Sequence, residues 1–395
     1  MLKDFSVQAL FMGVLTAFVG FASSFAVVLH GLQAVGATEA QAASGLMALS
    51  ISMGACAILL SAVTKLPVSI AWSTPGAALL ASTGAAIEGG FNAAVGAFLI
   101  CAVLIVIAGL FKPLGRAVAA IPAPLANAML AGVLLGLCFA PVKAIGFNPL
   151  LGLPIVLTWI VVGAFRRLWA VPAALVAFVL VLTFGVEIPE GALASLGRSL
   201  VPTVEIVHPV FNLAGFVSIA LPLFIVTMAS QNIPGIAVLK VNHYDPMPGP
   251  LFAVTGFFSV LSAPFGGHAV NLAAITAAMC AGQDAHADPK RRYWAALISG
   301  AGYVVLGLLA GVVTAFVALA PPILIQAVAG LALVGAFSGS AMAAFQAPES
   351  REAAAITFLV TASGVSFGGI SGAFWGLVAG GLMLALSRVV QAAKK

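Results

Sequence analysis

Two polar side chains, His268 and Asn271, stand in a stretch (263–271) whose Pro264 and paired glycines interrupt regular helix. Long apolar segments flank this stretch on both sides. We therefore predict a broken backbone that opens a short helix, with both side chains on its first turn. A histidine there can donate to an anion or accept a proton near neutral pH. The alternative is a packing histidine bonded to a neighbouring carbonyl.

A second interrupted segment occupies the matching place in the first half of the chain. It contains the run Trp72-Ser-Thr-Pro-Gly76, which offers an aromatic wall, two hydroxyls and free backbone N–H groups. Trp72 alternatively packs only against the first apolar segment. Two short hydrophobic segments, broken by Gly or Pro at corresponding positions of two halves, indicate the substrate site of a secondary transporter.

A third polar group lies in the eighth apolar segment, where Gln231 and Asn232 precede Pro234. Proline has no N–H, so it leaves a carbonyl of the preceding turn without its partner. Either these amides satisfy that carbonyl in a kinked helix, or one of them faces a substrate. The residues themselves leave both possibilities open.

The composition indicates what kind of elements position these groups. The chain has 395 residues, of which 62% are hydrophobic and 7% charged, whereas soluble domains carry about 25% charged residues. Apolar runs recur along the whole chain without strand-like alternation, which predicts an all-α polytopic membrane protein.

The four cysteines show no paired spacing, so we expect no metal site or other cofactor. The net charge of +5 forms no basic patch with interleaved aromatics, so we expect no nucleic-acid partner.

We predict fourteen transmembrane segments. Their approximate ranges are 6–33, 40–63, 67–83, 91–111, 122–141, 150–165, 169–185, 212–238, 249–263, 266–282, 293–319, 322–345, 353–368 and 370–391. Segments three and ten are short and broken, so each is expected to cross as extended backbone plus a half-helix. The longest polar connection, 186–211, separates seven segments from seven. The halves therefore have opposite orientations, as an inverted repeat with residues 1–190 and 207–395 as its two copies.

The distribution of positive charge tests this count. With the N-terminus inside, only Lys143 and Arg198 of the 16 Lys and Arg residues fall on the outer face. Cytoplasmic loops carry the Lys/Arg excess, so we expect both termini in the cytoplasm of a bacterial inner membrane. Removing either short segment as a crossing would reverse every later loop and destroy the bias.

The predicted membrane interior holds few polar side chains and no charged one. Half-helix N-termini present unpaired N–H groups and a positive dipole end, which favour an anion. With Phe21, Phe25, Trp72 and Phe265 as apolar lining, a small aromatic carboxylate fits this environment, and a sugar or polycation does not. The candidate substrate-binding residues are Ser23, Ser24, Trp72, Ser73, Thr74, Gln231, Asn232, Phe265, Gly266, Gly267, His268 and Asn271.

Several of these runs resemble the benzoate/proton symporter family, BenE, over essentially the whole chain. They are Phe21-Ala-Ser-Ser-Phe25, Trp72-Ser-Thr-Pro-Gly76, Ser230-Gln-Asn-Ile-Pro-Gly235 and Pro264-Phe-Gly-Gly-His268. The resemblance implies proton-driven uptake of benzoate or a close aromatic carboxylate. It also implies the fold of nucleobase–ascorbate and sulfate-type transporters, in which segments three and ten contain a short strand and a half-helix. In that fold a core domain (6–111 and 212–319) faces a gate domain (113–190 and 321–392), which can form a homodimer.

One departure from that fold's pattern concerns the proton. Bacterial uracil transporters of this fold hold the nucleobase with glutamates on segments eight and ten, where this chain has Gln231 or Asn232, and His268. An anionic substrate requires the loss of both carboxylates, and the proton is then left to His268 or to the substrate itself. The alternatives are transport or exchange of another small anion or a nucleobase. An integral-membrane enzyme is disfavoured because the segments lack acidic residues and clustered histidines.

Overall fold

The computed structural model describes residues 5–83, 88–111, 113, 122–186, 196–197, 199–202, 204–273, 275–365, 367 and 372–393, so Arg198 lies outside the described residues. The chain is mostly helical. The first half contains α1 (Val7–Ala22), α2 (Phe25–Ala34), α3 (Glu39–Thr64), β1 (Ile70–Trp72), α4 (Thr74–Thr83), α5 (Gly90–Leu110), α6 (Ala123–Cys138), α7 (Ala140–Phe147), α8 (Pro149–Phe165) and α9 (Ala170–Gly185). The second half contains α10 (Leu213–Val241), α11 (Pro248–Ser262), β2 (Val270–Leu272), α12 (Ile275–Ala281), α13 (Tyr293–Leu308), α14 (Ala310–Ala318), α15 (Pro322–Phe345), α16 (Arg351–Ala362) and α17 (Gly372–Ala393).

The described helices make this a multi-pass membrane protein. Eight of them are long and apolar enough to span a bilayer, or nine if the bent pair containing α13 and α14, which meet at 52°, counts as one span. Helices α8 and α9 are shorter and also apolar. Each of the fourteen predicted segments coincides with a helix, a broken helix, or a strand followed by a helix. The number of crossings stays a prediction.

The two short strands, β1 and β2, pair with each other in antiparallel register, with Ala71 opposite Asn271. The backbone hydrogen bonds beyond the pair follow a local two-fold symmetry: Ser73 N donates to Ala269 O, and Ala273 N donates to Ser69 O, both at 3.0 Å. An unsatisfied backbone group in hydrocarbon costs several kcal/mol. The pairing therefore lets two membrane segments contain extended backbone.

The placement of His268 and Asn271 on the first turn of a half-helix is wrong. His268 precedes β2, Asn271 is the central residue of β2, and α12 begins only at Ile275. The reason is a side chain on the preceding helix: Ser259 Oγ accepts from Val270 N at 2.8 Å and donates to Val270 O at 3.1 Å. These two hydrogen bonds to the backbone of one residue, together with pairing to β1, hold the segment extended.

Helix packing joins elements that are far apart in the chain. Helix α3 packs against α13, α5 against α11, and α1 against α13, whereas α6 packs against α15 and α16. Gly330 lies where α15 meets the end of α6, and a Cβ there would contact the carbonyl oxygen of Leu137. Small residues allow such close approach in membranes, so the glycine sets the distance between these two helices.

Arg292 closes the C-terminal end of the half-helix α12. Its Nη1 donates to Ala281 O at 2.7 Å, its Nε to His286 O at 2.7 Å, and its Nη2 to Ala287 O at 3.3 Å. The side chain is 5% exposed. A cation at a helix C-terminus is stabilised by the helix dipole, so Arg292 anchors the end of α12 that lies away from the strand pair.

We expect Arg292→Ala to lower the free energy of unfolding by about 2 kcal/mol or more, because a hydrogen bond from a charged donor contributes about 1.5–3 kcal/mol. Arg292→Lys should recover only part of this, since an ammonium group cannot reproduce the guanidinium fork. Heat-induced unfolding of the detergent-solubilised protein measures the effect. The matched control is Lys290→Ala, which removes an exposed cation two residues away. Equal shifts in both variants, or none in Arg292→Ala, would contradict the anchoring role.

Candidate functional site

A cavity of about 330 Å³ lies where α1, β1 and α10 face α6 and α15. This volume is within the range of small-molecule sites. Its described lining consists of Val19, Gly20, Ser23, Ser24, Ala71, Trp72, Thr74, Pro75, Asn127, Leu130, Ala229, Ser230, Gln231, Pro234, Ala273, Thr276, Gly335, Ala336, Gly339 and Ser340. The strand pair and the two half-helix starts thus meet at one concave surface.

A break in the first membrane segment contributes one wall of the cavity. Ser23 and Ser24 separate α1 from α2. Trp72 Nε1 donates to Ser24 Oγ at 2.9 Å, and Ser24 Oγ donates to Gly20 O at 3.3 Å. The ring of Phe21 contacts the edge of Trp72, with centroids 5.5 Å apart. These contacts fix the indole, so the cavity has a rigid aromatic wall.

The start of helix α4 contributes a polar edge. Ser73 Oγ accepts from Gly76 N at 3.1 Å and from Thr227 Oγ1 at 2.8 Å, which holds the first turn in place. Ser73 is itself fully buried behind the cavity, and Thr74 and Pro75 line it. The positive end of the α4 dipole therefore faces the cavity, where an anion is favoured.

The two candidate amides, Gln231 and Asn232, lie in a π-helical turn of α10 (Met228–Asn232) and point to different places. Gln231 lines the cavity. Asn232 is fully buried, and its Oδ1 accepts from Leu272 N at 2.9 Å. Single π-turns occur frequently at functional sites. Here the turn directs Gln231 to the cavity and Asn232 to the backbone of β2.

His268 is fully buried and lies behind the cavity wall. Its Nε2 is 2.9 Å from Ser73 O, and a carbonyl only accepts, so Nε2 carries the proton and donates. Within the described part of the chain, Nδ1 has no hydrogen-bond partner. The histidine thus supports the start of α4 from behind and retains one vacant acceptor nitrogen.

The remaining candidates from the glycine-rich stretch also lie off the cavity. Phe265 O accepts from Ser44 Oγ at 3.1 Å, and Gly266 has a φ of +92°, which turns the chain toward β2. Gly267 follows this turn, and Asn271 Nδ2 donates to Leu272 O at 2.8 Å. Of the twelve sequence candidates, the structure brings Ser23, Ser24, Trp72, Thr74 and Gln231 to the cavity. The described lining does not include the other seven candidates, Ser73, Asn232, Phe265, Gly266, Gly267, His268 and Asn271.

The opposite wall comes from α6 and α15 and was missed by the sequence reasoning. Asn127 and Leu130 on α6, and Gly335, Gly339 and Ser340 on α15, line this wall. An Asn within an apolar helix is a signal that would have identified Asn127. The two glycines, spaced one helical turn apart, keep side chains out of the cavity.

The charge of the cavity is set by the backbone and not by ionised side chains. Among the lining residues that the structure describes, none is Asp, Glu, Lys or Arg. The guanidinium of Arg167 lies at the edge, 3.6 Å from where a Cβ on Gly335 would be. The described residues also contain no cluster of His, Cys, Asp or Glu that would hold a metal ion. Such a site is suited to hold a small anion with an apolar body.

Comparisons with known proteins identify membrane proteins that are similar to this chain over nearly its whole length. The model of the family BenE, benzoate membrane transport protein, matches residues 3–386. The inner membrane protein YdcO of Escherichia coli (strain K12) is 38% identical over 371 residues, which covers 94% of this chain and 93% of that protein. The benzoate membrane transport protein of Acinetobacter baylyi is 31% identical over 379 residues, covering 96% and 94%.

Solved structures give the fold. The transmembrane domain of the cyanobacterial bicarbonate transporter BicA aligns with a TM-score of 0.59 at 16% identity, covering 97% of both chains. SLC26A9 aligns with a TM-score of 0.61 at 12% identity, covering 99% of this chain and 67% of that one. At these identities the likeness shows the fold alone. Because the family model spans nearly the whole chain and a named benzoate transport protein is more than 30% identical to it, this chain belongs to the BenE family of membrane transporters, not to a family of enzymes.

Proposed function

We propose that this protein imports benzoate or a similar aromatic carboxylate by proton symport with alternating access. The observation that carries the proposal is the cavity itself: an aromatic wall and a helix N-terminus meet there, with no carboxylate among the described lining residues. The named function of the Acinetobacter relative supports the substrate class. A benzoate carboxylate at the start of α4 would accept from Thr74 and Gln231, and its ring would pack against Trp72.

The transport cycle follows from where the cavity lies. We assign α1–α5 and α10–α14 to a core domain (6–111 and 212–319), and α6–α9 and α15–α17 to a gate domain (113–190 and 321–392). The packing of α3 on α13 and of α6 on α15 supports this division. Substrate held between the domains reaches either side when the core moves against the gate. The symmetric hydrogen bonds around β1 and β2 support two inverted repeats, 1–190 and 207–395, with fourteen crossings.

The membrane setting completes the proposal. The Lys/Arg bias supports an inner-membrane location with both termini in the cytoplasm. A homodimer through the gate domain is the expected assembly.

His268 is the proposed proton site. Its Nδ1 has no hydrogen-bond partner among the described residues and could accept a proton, and its Nε2 contacts Ser73, the residue directly before α4.

Uptake into proteoliposomes tests the function. Radiolabelled benzoate should accumulate when the lumen is alkaline, and a protonophore should abolish the accumulation. Empty liposomes give the passive diffusion of benzoic acid to be subtracted. Benzoate uptake that ignores the pH gradient would overturn proton symport, and no benzoate uptake at all would overturn the substrate class.

A second candidate function is transport of another small anion. The fold likeness to the transmembrane domain of a bicarbonate transporter favours it. Parallel uptake of bicarbonate, sulfate and uracil in the same proteoliposomes separates the candidates. Saturable transport of one of these, without benzoate transport, would favour the second candidate.

A further inference from the structure

A second cavity, of about 200 Å³, lies between α2, α4, α6, α7 and α15. We call it the outer cavity, because the Lys/Arg bias places Lys143 on the outer face. Its described lining consists of His30, Ala81, Ser82, Val133, Gly136, Leu137, Ala140, Lys143 and Gln326. It shares no lining residue with the central cavity.

The two cavities lie in series along one path. The broken first segment, α4, α6 and α15 each contribute residues to both. On α6, Leu130 lines the central cavity and Val133 lines the outer one, which is about 4.5 Å along the helix axis. On the other three elements the intervening residues include buried apolar side chains, namely Val27, Val28, Ala78, Leu79 and Val328. An apolar layer therefore separates the cavities.

The polar groups of the outer cavity suit an anion. Lys143 is the charged side chain among its described lining residues. Gln326 Nε2 lies 3.5 Å from His30 Nδ1, and an amide nitrogen only donates, so the ring proton is assigned to Nε2. This arrangement leaves His30 Nε2–H and the second Gln326 N–H as hydrogen-bond donors on residues that line the same cavity as Lys143.

The outer cavity also has room for an apolar body. A Cβ built on Gly136 would meet no atom within 4 Å, so the α6 wall is open at that position. Leu137, Val133 and Ala140 provide apolar surface next to it. A carboxylate with a small ring satisfies both the donors and this surface, whereas a cation would be repelled by Lys143.

We propose that the outer cavity is a second binding site for an aromatic monocarboxylate, which captures the anion before it passes the apolar layer to the central cavity. The identity of the ligand rests on the proposed function. Lys143 supplies long-range attraction, and His30 and Gln326 supply hydrogen bonds. Positive charge at the mouth of a low-dielectric cleft raises the local concentration and the association rate of an anion.

Kinetics of uptake into right-side-out vesicles provide the first test. Lys143→Gln should raise the KM for benzoate about 3- to 10-fold at low ionic strength, in line with the loss of electrostatic steering. The maximal rate should be unchanged, and the KM difference should shrink at high salt. The matched control is Lys240→Gln at the far end of α10, an exposed lysine that lines neither cavity. An unchanged KM in Lys143→Gln, or equal changes in both variants, would overturn the proposal.

A second readout does not depend on transport. In a Cys138→Ser background, where the other cysteines are buried, Ser82→Cys places a thiol in the outer cavity. Benzoate should slow its reaction with an impermeant anionic thiol reagent, and Lys143→Gln should raise the benzoate concentration needed for this protection. Protection without benzoate transport would support the outer site while the proposed function fails. Transport of benzoate without protection of this thiol would likewise overturn the outer site and leave the proposed function intact.

Discussion

Replacing Gly339 by phenylalanine is expected to reduce benzoate uptake to the level of empty liposomes. Gly339 lines the central cavity on α15, and a Cβ there would meet no atom within 4 Å. A phenyl ring attached there would therefore extend into the space proposed for the substrate ring. Uptake of radiolabelled benzoate and tryptophan-fluorescence titration with benzoate would both be measured, since occlusion predicts loss of binding as well as transport.

A matched control for this variant exists in the last helix. Gly381 on α17 also has no atom within 4 Å of a built Cβ, and it does not line the cavity. Gly381→Phe adds the same ring to the same type of position and should leave uptake unchanged. Full activity in Gly339→Phe would show that the substrate binds elsewhere. Loss of activity in both variants would point to a general effect of a phenyl ring in these helices.

The second large effect is expected at His268. His268→Ala removes the hydrogen bond to Ser73 O and leaves a void behind the start of α4. Loss of a buried hydrogen bond of about 1 kcal/mol, together with the void, predicts a decrease in benzoate counterflow of about tenfold. Counterflow exchanges labelled for unlabelled substrate without a proton gradient, so it measures substrate binding and translocation separately from proton coupling.

His268→Gln separates support of α4 from proton transfer. A glutamine amide can still donate to Ser73 O but does not titrate. We expect this variant to keep counterflow and to lose accumulation driven by the pH gradient. Accumulation that persists in His268→Gln would exclude His268 as the proton site and leave the substrate carboxylate to carry the proton.

The positions of the two broken segments were predictable from local chemistry. Proline and paired glycines exclude regular helix at both places. That both segments cross the membrane, as the Lys/Arg bias predicts, stays a prediction. The prediction that Ser24, Trp72 and Gln231 group around one site relied on their being the few polar or aromatic groups beside those breaks. The structure places all three at one cavity.

The orientation of His268 was not predictable in the same way. Whether it lies in a helix or before a strand depends on Ser259 and on pairing with β1, about two hundred residues away in the chain. The same limit applies to Asn127 and Gly339, which join the site only because α6 and α15 pack against each other. Contacts between distant segments leave no pattern in the local sequence, so the wall formed by α6 and α15 was not assigned from the sequence, although Asn127 stands out as an amide within an apolar helix.

The absence of ionised side chains from the described cavity lining has an electrical consequence. Moving one elementary charge through 100 mV costs or yields about 2.3 kcal/mol. The described lining residues are all uncharged, so we expect reorientation of the empty protein to move little charge through the membrane. Under the proposed symport, benzoate and one proton cross together as a neutral pair. Accumulation at equilibrium should then follow the pH difference, at about tenfold for each pH unit, with no contribution from membrane voltage.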